Sequence, residues 1–373
     1  FNQGNASVRN STNTNDKVAD AMNIKTRLGY TKNFKKEKRQ LRVVNNFVMD
    51  NSGSTTNLKY NDFFTQSATY ENTIDQEQVS KRNIYSNVFS VAYVEPLSKR
   101  FKIEFTYELF NSTNTQDKKS NNFTGIGYDS MDTLTSGNFK SIKFQNKLGA
   151  SLIYDFKKHV ITIGAFGRNV QIDNQNHFTH TSINQKVTDI LPRISYNYKI
   201  NKNSNLRFNT NTISTLPSIG LLQPIRDNSN PNSILVGNEN LRPNYSINSN
   251  LNYNAYSPIT GAYVYGGIYS DYGFNQFVSS MDYDSIGRVL TSYRNENTLN
   301  YSGLYASGGI PIIKHVLTID PGIRYSYGNR NNYVNSLKNK LTTHGLDLSL
   351  ELNLYADVVE FTFGVGMSQA HNN

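Results

Sequence analysis

Near the C-terminal end, Leu346, Leu348, Leu350, Leu352 and Leu354 alternate with Asp347, Ser349, Glu351 and Asn353. A period of two gives a strand with one apolar and one polar face. After a turn at 355–357 the alternation resumes. Val359, Phe361, Phe363, Val365 and Met367 face one way; Glu360, Thr362, Gly364 and Gly366 face the other. The preceding segment behaves alike, with Leu317, Ile319, Pro321, Ile323, Tyr325 and Tyr327 opposing Thr318, Asp320, Gly322, Arg324 and Ser326.

This hairpin unit recurs along the chain. The pattern predicts strands at 21–34 and 39–50, 83–95 and 101–111, 142–156 and 160–171, 189–200 and 204–213, 246–256 and 261–271, 299–313 and 316–327, and 342–355 and 358–368. Most are about 10–13 residues long, against about 5–6 for ordinary globular strands. A strand tilted across a bilayer needs about 9–11. Short turns alternate with long polar segments at 51–82, 112–141, 172–188, 214–245, 272–298 and 328–341, which read as loops. Short turns on one side and long loops on the other are the pattern of outer-membrane barrels. Phe34, Tyr93, Phe101, Phe156, Tyr198, Tyr256 and Tyr355 fall near the short turns, where an interfacial aromatic belt would sit. A soluble sandwich would turn every 8–12 residues or so and lack such loops.

Composition supports this class. The 373 residues include no Cys, which excludes disulfide scaffolds, thiol catalysis and Cys-based metal sites. No run approaches about 18 apolar residues, so no transmembrane helix is expected. With 25 Tyr and 20 Phe the chain is too aromatic for plain disorder. The expected fold is an all-β transmembrane antiparallel β-barrel, about fourteen strands of it visible, in the outer membrane of a Gram-negative bacterium. The first and last strands each have their free end on the loop side. Residues 1–373 are therefore expected to be a slice of a larger barrel, with the edges of 21–34 and 358–368 open or paired to other protein.

One predicted loop holds four of the nine prolines. It reads Leu216-Pro217-Ser218-Ile219-Gly220-Leu221-Leu222-Gln223-Pro224-Ile225, then passes Pro231 to Val236-Gly237-Asn238-Glu239-Asn240-Leu241-Arg242-Pro243-Asn244. Leu191-Pro192-Arg193-Ile194-Ser195-Tyr196 precedes it, and Tyr283-Asp284-Ser285-Ile286-Gly287-Arg288 and Tyr301-Ser302-Gly303-Leu304 follow. These stretches resemble the C-terminal barrel of TonB-dependent outer-membrane receptors, especially the barrel family common in Bacteroidetes. Its pattern is Pro-Ser-x-x-x-Leu-x-Pro, then Gly-Asn-Pro-x-Leu-x-Pro-Glu; here Glu239 stands at the motif's proline and Asn244 at its glutamate. The resemblance implies a 22-stranded barrel around a plug domain of the same polypeptide that is not in this chain, and TonB-coupled uptake of a solute. The other reading is a non-transporting barrel that scaffolds a multi-protein outer-membrane assembly.

Candidate outer-loop contacts are Pro217, Leu222, Pro224, Gly237, Asn238, Leu241 and Pro243. On the polar face, Arg168, Arg193, Arg207, Arg324, Asp347 and Glu351 are candidate lumen or plug contacts, in a lumen that leans positive with Lys25, Arg27, Arg42, Lys102, Lys147 and Lys199 against Glu104, Glu108, Asp155 and Asp320. The short turns are basic too, and inner-leaflet phosphates or solvent would face them. Tyr128–Ser136 and Tyr283–Ser292 echo each other; Asp and Ser there read as hairpin tips rather than a calcium site. His177 and His180 have only Asp173 nearby, too few ligands for a metal. Glu104 and Glu108 share a face about 13 Å apart, beyond glycosidase spacing. No nucleophile elbow, phosphate loop or HExxH motif is present. No enzyme, cofactor or metal is therefore expected, and no nucleic-acid partner, because the basic residues are spread over turns and one strand face. Expected partners are outer-membrane lipid and lipopolysaccharide, the plug domain, and a surface lipoprotein lid or other outer-membrane proteins.

Overall fold

A computed structural model describes the chain except residues 1, 4–5, 8, 65–69, 179, 223–231, 285–287, 298, 357 and 373. β1 (Asn2–Gln3) and β2 (Ala6–Ser7) form a small separate ladder. The wall follows: β3 (Arg9–Asn33), β4 (Gln40–Phe64), β5 (Tyr70–Pro96), β6 (Phe101–Phe123), the short β7 (Tyr128–Met131), β8 (Gly137–Phe156), β9 (His159–Asn176), β10 (Thr181–Asn201) and β11 (Ser204–Thr215). A one-turn helix α1 (Ile219–Leu222) and β12 (Ser233–Leu235) precede β13 (Asn244–Tyr256) and β14 (Tyr263–Phe274). Then come β15 (Gln276–Tyr283), β16 (Val289–Glu296), β17 (Leu299–Ile313), β18 (Leu317–Val334), β19 (Leu337–Ala356) and β20 (Val359–Asn372). No helix among the described residues is long and apolar enough to cross a membrane.

All fourteen expected strands are present and pair antiparallel in the order β3-β4-β5-β6-β8-β9-β10-β11-β13-β14-β17-β18-β19-β20. In the barrel order β20 and β3 are the remaining neighbours. Among the described residues no ladder joins them: β3 pairs with β4 and β20 with β19 only. The wall is curled but unsealed, with the open edges expected. Residues 11–33 and all of β20 are exposed.

The register separates the two faces, because directly opposed residues share one. Glu108 opposes Lys147, Lys147 opposes Arg168, and Arg168 opposes Asp189. Farther round, Tyr305 opposes Arg324 and Arg324 opposes Asp347. The other face carries the apolar band, from Leu41 and Val43 on β4 through Phe105, Leu152, Ile163 and Ile194 to Leu350 and Val365. Leu152, Ile163, Ile194, Leu350 and Val365 are exposed there, as a lipid-facing surface requires. The belt needs one correction. Tyr256 opposes Tyr263, and Tyr355 lies four residues after Glu351 on the polar face. Both point into the lumen, not into the interface.

The long polar segments are expected as loops and, apart from 214–245, are mostly strand. β4 runs to Phe64 and β5 begins at Tyr70, so nearly all of 51–82 is ladder. Strands of 25 and 27 residues extend roughly 80 Å at about 3.3 Å per residue, well beyond a bilayer. Above the membrane the outward face is wet, while the inward face is buried but mixes polar with apolar side chains, as Leu58, Tyr60, Asp62, Gln76 and Gln78, so the two-residue hydrophobic alternation fades while the backbone ladder continues. Side-chain amides link neighbouring strands there, as Gln76 to Asn122 at 2.8 Å and Asn339 to Asn332 at 2.9 Å. The 328–341 segment closes in a two-residue turn. Asn335 and Ser336 both have positive φ (48° and 65°), the conformation that matches strand twist. The 128–136 echo splits into strand β7 and a turn at 133–135, with the hairpin tip at 124–127. In the 283–292 echo β15 pairs with β16 up to Tyr283 and Val289, and residues 285–287, where its tip is expected, lie outside the described residues.

These placements fix a topology that labelling reads out. The chain has no Cys, so single cysteines are unambiguous. With an impermeant maleimide on intact cells, cysteines at Ile126 and Ser336, on tall hairpins, are expected to label. Cysteines at Lys158 and Lys202, in short turns, are expected to label only after the outer membrane is opened. Labelling of the short turns in intact cells inverts the orientation.

Candidate functional site

The inner wall holds two chemically different regions. The first lies on β6, β8, β9, β10 and β11. Arg168 is 7% exposed. Its Nε and Nη2 donate to the two carboxylate oxygens of Asp189 at 3.0 and 2.5 Å. Its Nη1 and Nη2 also donate to the carbonyl oxygen (3.0 Å) and Oγ (2.7 Å) of Ser214. Such a bidentate pair orients the guanidinium as well as neutralising it. Arg193 donates to Glu104 and to Ser151 Oγ, each at 2.8 Å. Its guanidinium and the Lys147 ammonium lie 4.8 and 4.4 Å from the Phe166 ring centroid, a shared cation–π contact. Gly149 must be small here, because a Cβ would lie 2.2 Å from Phe166 Cδ1. A recess of about 380 Å³ opens between Lys147, Phe166, Arg168, Arg193 and Asn211.

The second region, on β13, β14, β17 and β18, pairs tyrosines with asparagines. The Tyr265–Tyr305 and Tyr269–Tyr301 ring centroids are 5.3 and 5.5 Å apart. Tyr305 donates to Asn252 Oδ1 at 2.6 Å, Asn252 to Asn250 at 3.1 Å, and Asn209 to Asn250 at 3.2 Å. Arg324 lies 5.8 Å from the Tyr269 ring. Of the six lumen candidates, Arg168 and Arg193 thus meet in the first region. Arg324 and Asp347 are opposed at the margin of the second, Glu351 opposes Asp320 nearby, and Arg207 stands between the regions opposite Asn197 and Asn252. The tyrosine wall escaped the sequence reading because alternation counts Tyr as apolar. The available signal was Tyr263, Tyr265, Tyr269 and Asp271 sharing one parity.

Above both regions, Asn232 lies at the mouth beside the wall strand β4. Tyr60, on β4 six strands away along the wall, donates to Asn232 Oδ1 at 2.7 Å. β12 then adds in parallel to β16, β16 pairs with β15, and β15 touches β18 in parallel, making a four-stranded outer sheet. Amides staple it. Asn238 Nδ2 donates to the Tyr293 carbonyl (2.8 Å), Asn295 Nδ2 to the Arg242 carbonyl (2.9 Å) and Asn275 Nδ2 to the Pro243 carbonyl (2.5 Å). Leu222 and Leu241 are 0% and 1% exposed and Pro217 is buried. These three hold the cap together and present no side chain to solvent. Gly237, Asn238 and Pro243 lie in the stapled turn, and Pro224 lies outside the described residues.

At the outer end Glu296 accepts from Lys338 Nζ (2.8 Å) and Tyr333 (2.5 Å), tying β16 to the β18–β19 hairpin. The Lys338 hydrogen bond, then that of Tyr333, holds the Glu296 carboxyl below the usual carboxylate range. A depressed carboxylate stabilises the fold above its ordinary pKa, and that contribution is lost as pH falls through the lowered value. Protection against hydrogen exchange over 289–296, taken relative to the intrinsic rate at each pH, is therefore expected to be unchanged from pH 7 to 5 and to fall below about pH 4. Glu296→Gln should be less protected at pH 7 and lack the acid step.

The chemistry this wall offers is that of charge, amide and phenol. The acids and bases nearest one another are consumed in ion pairs, and among the described residues no group of three His, Asp or Glu gathers as metal ligands. A model of the outer membrane protein beta-barrel family matches residues 32–365. No curated protein matches the chain. Among solved structures, a double mutant of the Serratia marcescens hemophore receptor HasR, in complex with its hemophore HasA and heme, aligns at 10% identity and TM-score 0.53, covering 95% of this chain and 65% of that one. The ferric citrate transporter FecA in its unliganded form aligns at 12% identity and TM-score 0.52, covering 89% and 53%. At such identities the likeness is one of fold, and this chain spans 65% and 53% of those proteins' structures.

Proposed function

Because the chain belongs to the outer membrane protein β-barrel family, a wall of the Gram-negative outer membrane rather than an enzyme, we propose that it is most of the barrel of a TonB-dependent receptor-like transporter. The observation that carries this is the capped, charged lumen: a polar inner face under a mouth segment tied across the barrel from Asn232 to Tyr60. A simple pore gains nothing from such a cap; a receptor that must hold a solute does. Further strands beyond the open edges of β3 and β20 would seal the wall, since unpaired backbone in lipid costs several kcal/mol per group. The charges Arg193, Arg207, Arg324, Asp347 and Glu351 would then face a plug domain of the same polypeptide, and the outer hairpins would face solute or a surface partner.

The test is a depletion experiment. Spent medium is compared by mass spectrometry for the parent strain, a deletion of this gene and a strain without TonB. Transport expects at least one solute taken up only when both gene and TonB are present. If no solute behaves so, and the protein co-purifies with stable outer-membrane partners instead, the scaffold reading replaces this one.

A further inference from the structure

The short-turn rim is chemically lopsided. The turns at 35–39, 97–100, 157–158 and 202–203 contain nine Lys or Arg and one acid, Glu37. The turns at 257–262 and 314–316 contain one Lys, Lys314, and no acid. The four basic turns are neighbours along the wall, because their hairpins are consecutive in it. They are also tied to one another. Lys36 and Arg39 donate to Glu95 at 2.6 and 2.8 Å, the Arg100 guanidinium lies 3.9 Å from the Phe156 ring centroid, and Lys158 Nζ donates to the Ile200 carbonyl at 2.6 Å.

Directly beneath this arc, on the lipid face, lies an aromatic shelf. Phe34 packs on Tyr93, Phe101 on Tyr154, and Tyr196 on Tyr198. The lipid face under the turns at 257–262 and 314–316 is mainly aliphatic, with Val264, Ile312, Leu317 and Leu354, and aromatics return only on the edge strand β20, with Phe361 and Phe363. Exposed cations over a ring of amphipathic aromatics place positive charge at the depth of lipid phosphates. Lys35, Lys99 and Lys202 are exposed and have no ion pair among the described residues.

We propose that this arc is a binding site for anionic phospholipid headgroups of the inner leaflet, several side by side along one flank of the barrel. Its inner-leaflet address rests on the orientation proposed above, with the short turns toward the periplasm. Each headgroup phosphodiester would accept from the exposed lysines of adjacent turns while its acyl chains lie on the aromatic shelf. The flank at 257–262 and 314–316 would carry ordinary, exchangeable lipid.

Native mass spectrometry of the purified full-length protein, delipidated and then titrated with dimyristoyl-phosphatidylglycerol or dimyristoyl-phosphatidylcholine in mixed micelles, counts the lipids retained. Wild type is expected to retain several phosphatidylglycerols and to keep phosphatidylcholine at least about fivefold less. The quadruple variant Lys35→Gln, Lys99→Gln, Lys157→Gln, Lys202→Gln should lose most of that excess. The matching Lys→Arg quadruple, which keeps the charge, and Lys314→Gln should behave as wild type. Equal retention of the two lipids, an unchanged Gln quadruple, or displacement by millimolar inorganic phosphate each overturns the proposal, the last by making the site one for free phosphate. Misfolding of the Gln quadruple is recognised by its gel mobility, and the Arg quadruple and Lys314→Gln then decide between charge and bulk. The lipid count is independent of orientation, so a failed count sinks the arc, while cysteine labelling at Lys158 separately judges which leaflet it meets.

Discussion

Leu350→Arg is expected to destabilise the barrel by about 2–4 kcal/mol, while Ser349→Arg costs far less. Leu350 is 40% exposed on the apolar face, opposed by Pro321 and Val365. It lies six residues above the strand's lower end at Ala356. At about 3.3 Å per residue and a tilt near 40°, that places it roughly 15 Å up, the middle of a core about 30 Å thick. An arginine there must hold its charge at the bilayer centre. Ser349 opposes Gly322 and Gly366 on the other face, so an arginine there enters a polar lumen. Reversible unfolding from lipid vesicles measures both. Equal costs, or a reversed order, would overturn the assignment of lipid and lumen faces on which the rest depends.

That division was legible in the sequence wherever one face met lipid and the other did not. Five alternating leucines from Leu346 to Leu354 locate β19 and its faces, and the same alternation, taken strand by strand, places Lys147, Arg168 and Arg193 inside. The reading failed where the two environments become alike. Past Met49 on β4 the inward face mixes Ser, Thr and Asp62 with Leu58 and Tyr60 and the outward face is polar, so Asn51 to Phe64 shows only a short fragment of period and reads as loop, although it is strand to its end. Tyrosine fails for a related reason: a ring with a hydroxyl suits an interfacial belt and a wet lumen equally. Nearness to a short turn therefore predicts a belt position for Tyr256 and Tyr355, and it does not single out Tyr265, Tyr269 and Tyr305. The cap was half legible. Its prolines and Asn238 stood out, but β12 joins β16 in parallel from far along the chain, and no local pattern reports such a pairing. Partners of the charged residues were hidden likewise. Parity says that Arg168 points inward; only the β9–β10 register brings Asp189 opposite it.

That pair gives the second large effect. Asp189→Ala is expected to cost about 3–5 kcal/mol, because it leaves the Arg168 guanidinium buried beside an empty place. Arg168→Met should cost a comparable amount by stranding the carboxylate. The double variant Arg168→Met, Asp189→Leu should recover most of the loss, since two apolar groups of similar volume leave no charge to desolvate. The surface pair Arg288–Asp284, at 2.7 Å but with side chains 35% and 37% exposed, is the control; Asp284→Ala should cost under about 1 kcal/mol. Salt separates them too. The surface pair should weaken from 0.05 to 0.5 M NaCl, and the buried one should change little. Because Arg168 also holds Ser214 at the end of β11, the cost should reach the mouth. Hydrogen exchange at 216–222 should quicken in Asp189→Ala and return toward wild type in the double variant. If Asp189→Ala costs no more than Asp284→Ala, water reaches the pair freely, and the first region of the wall is an open surface rather than a built recess.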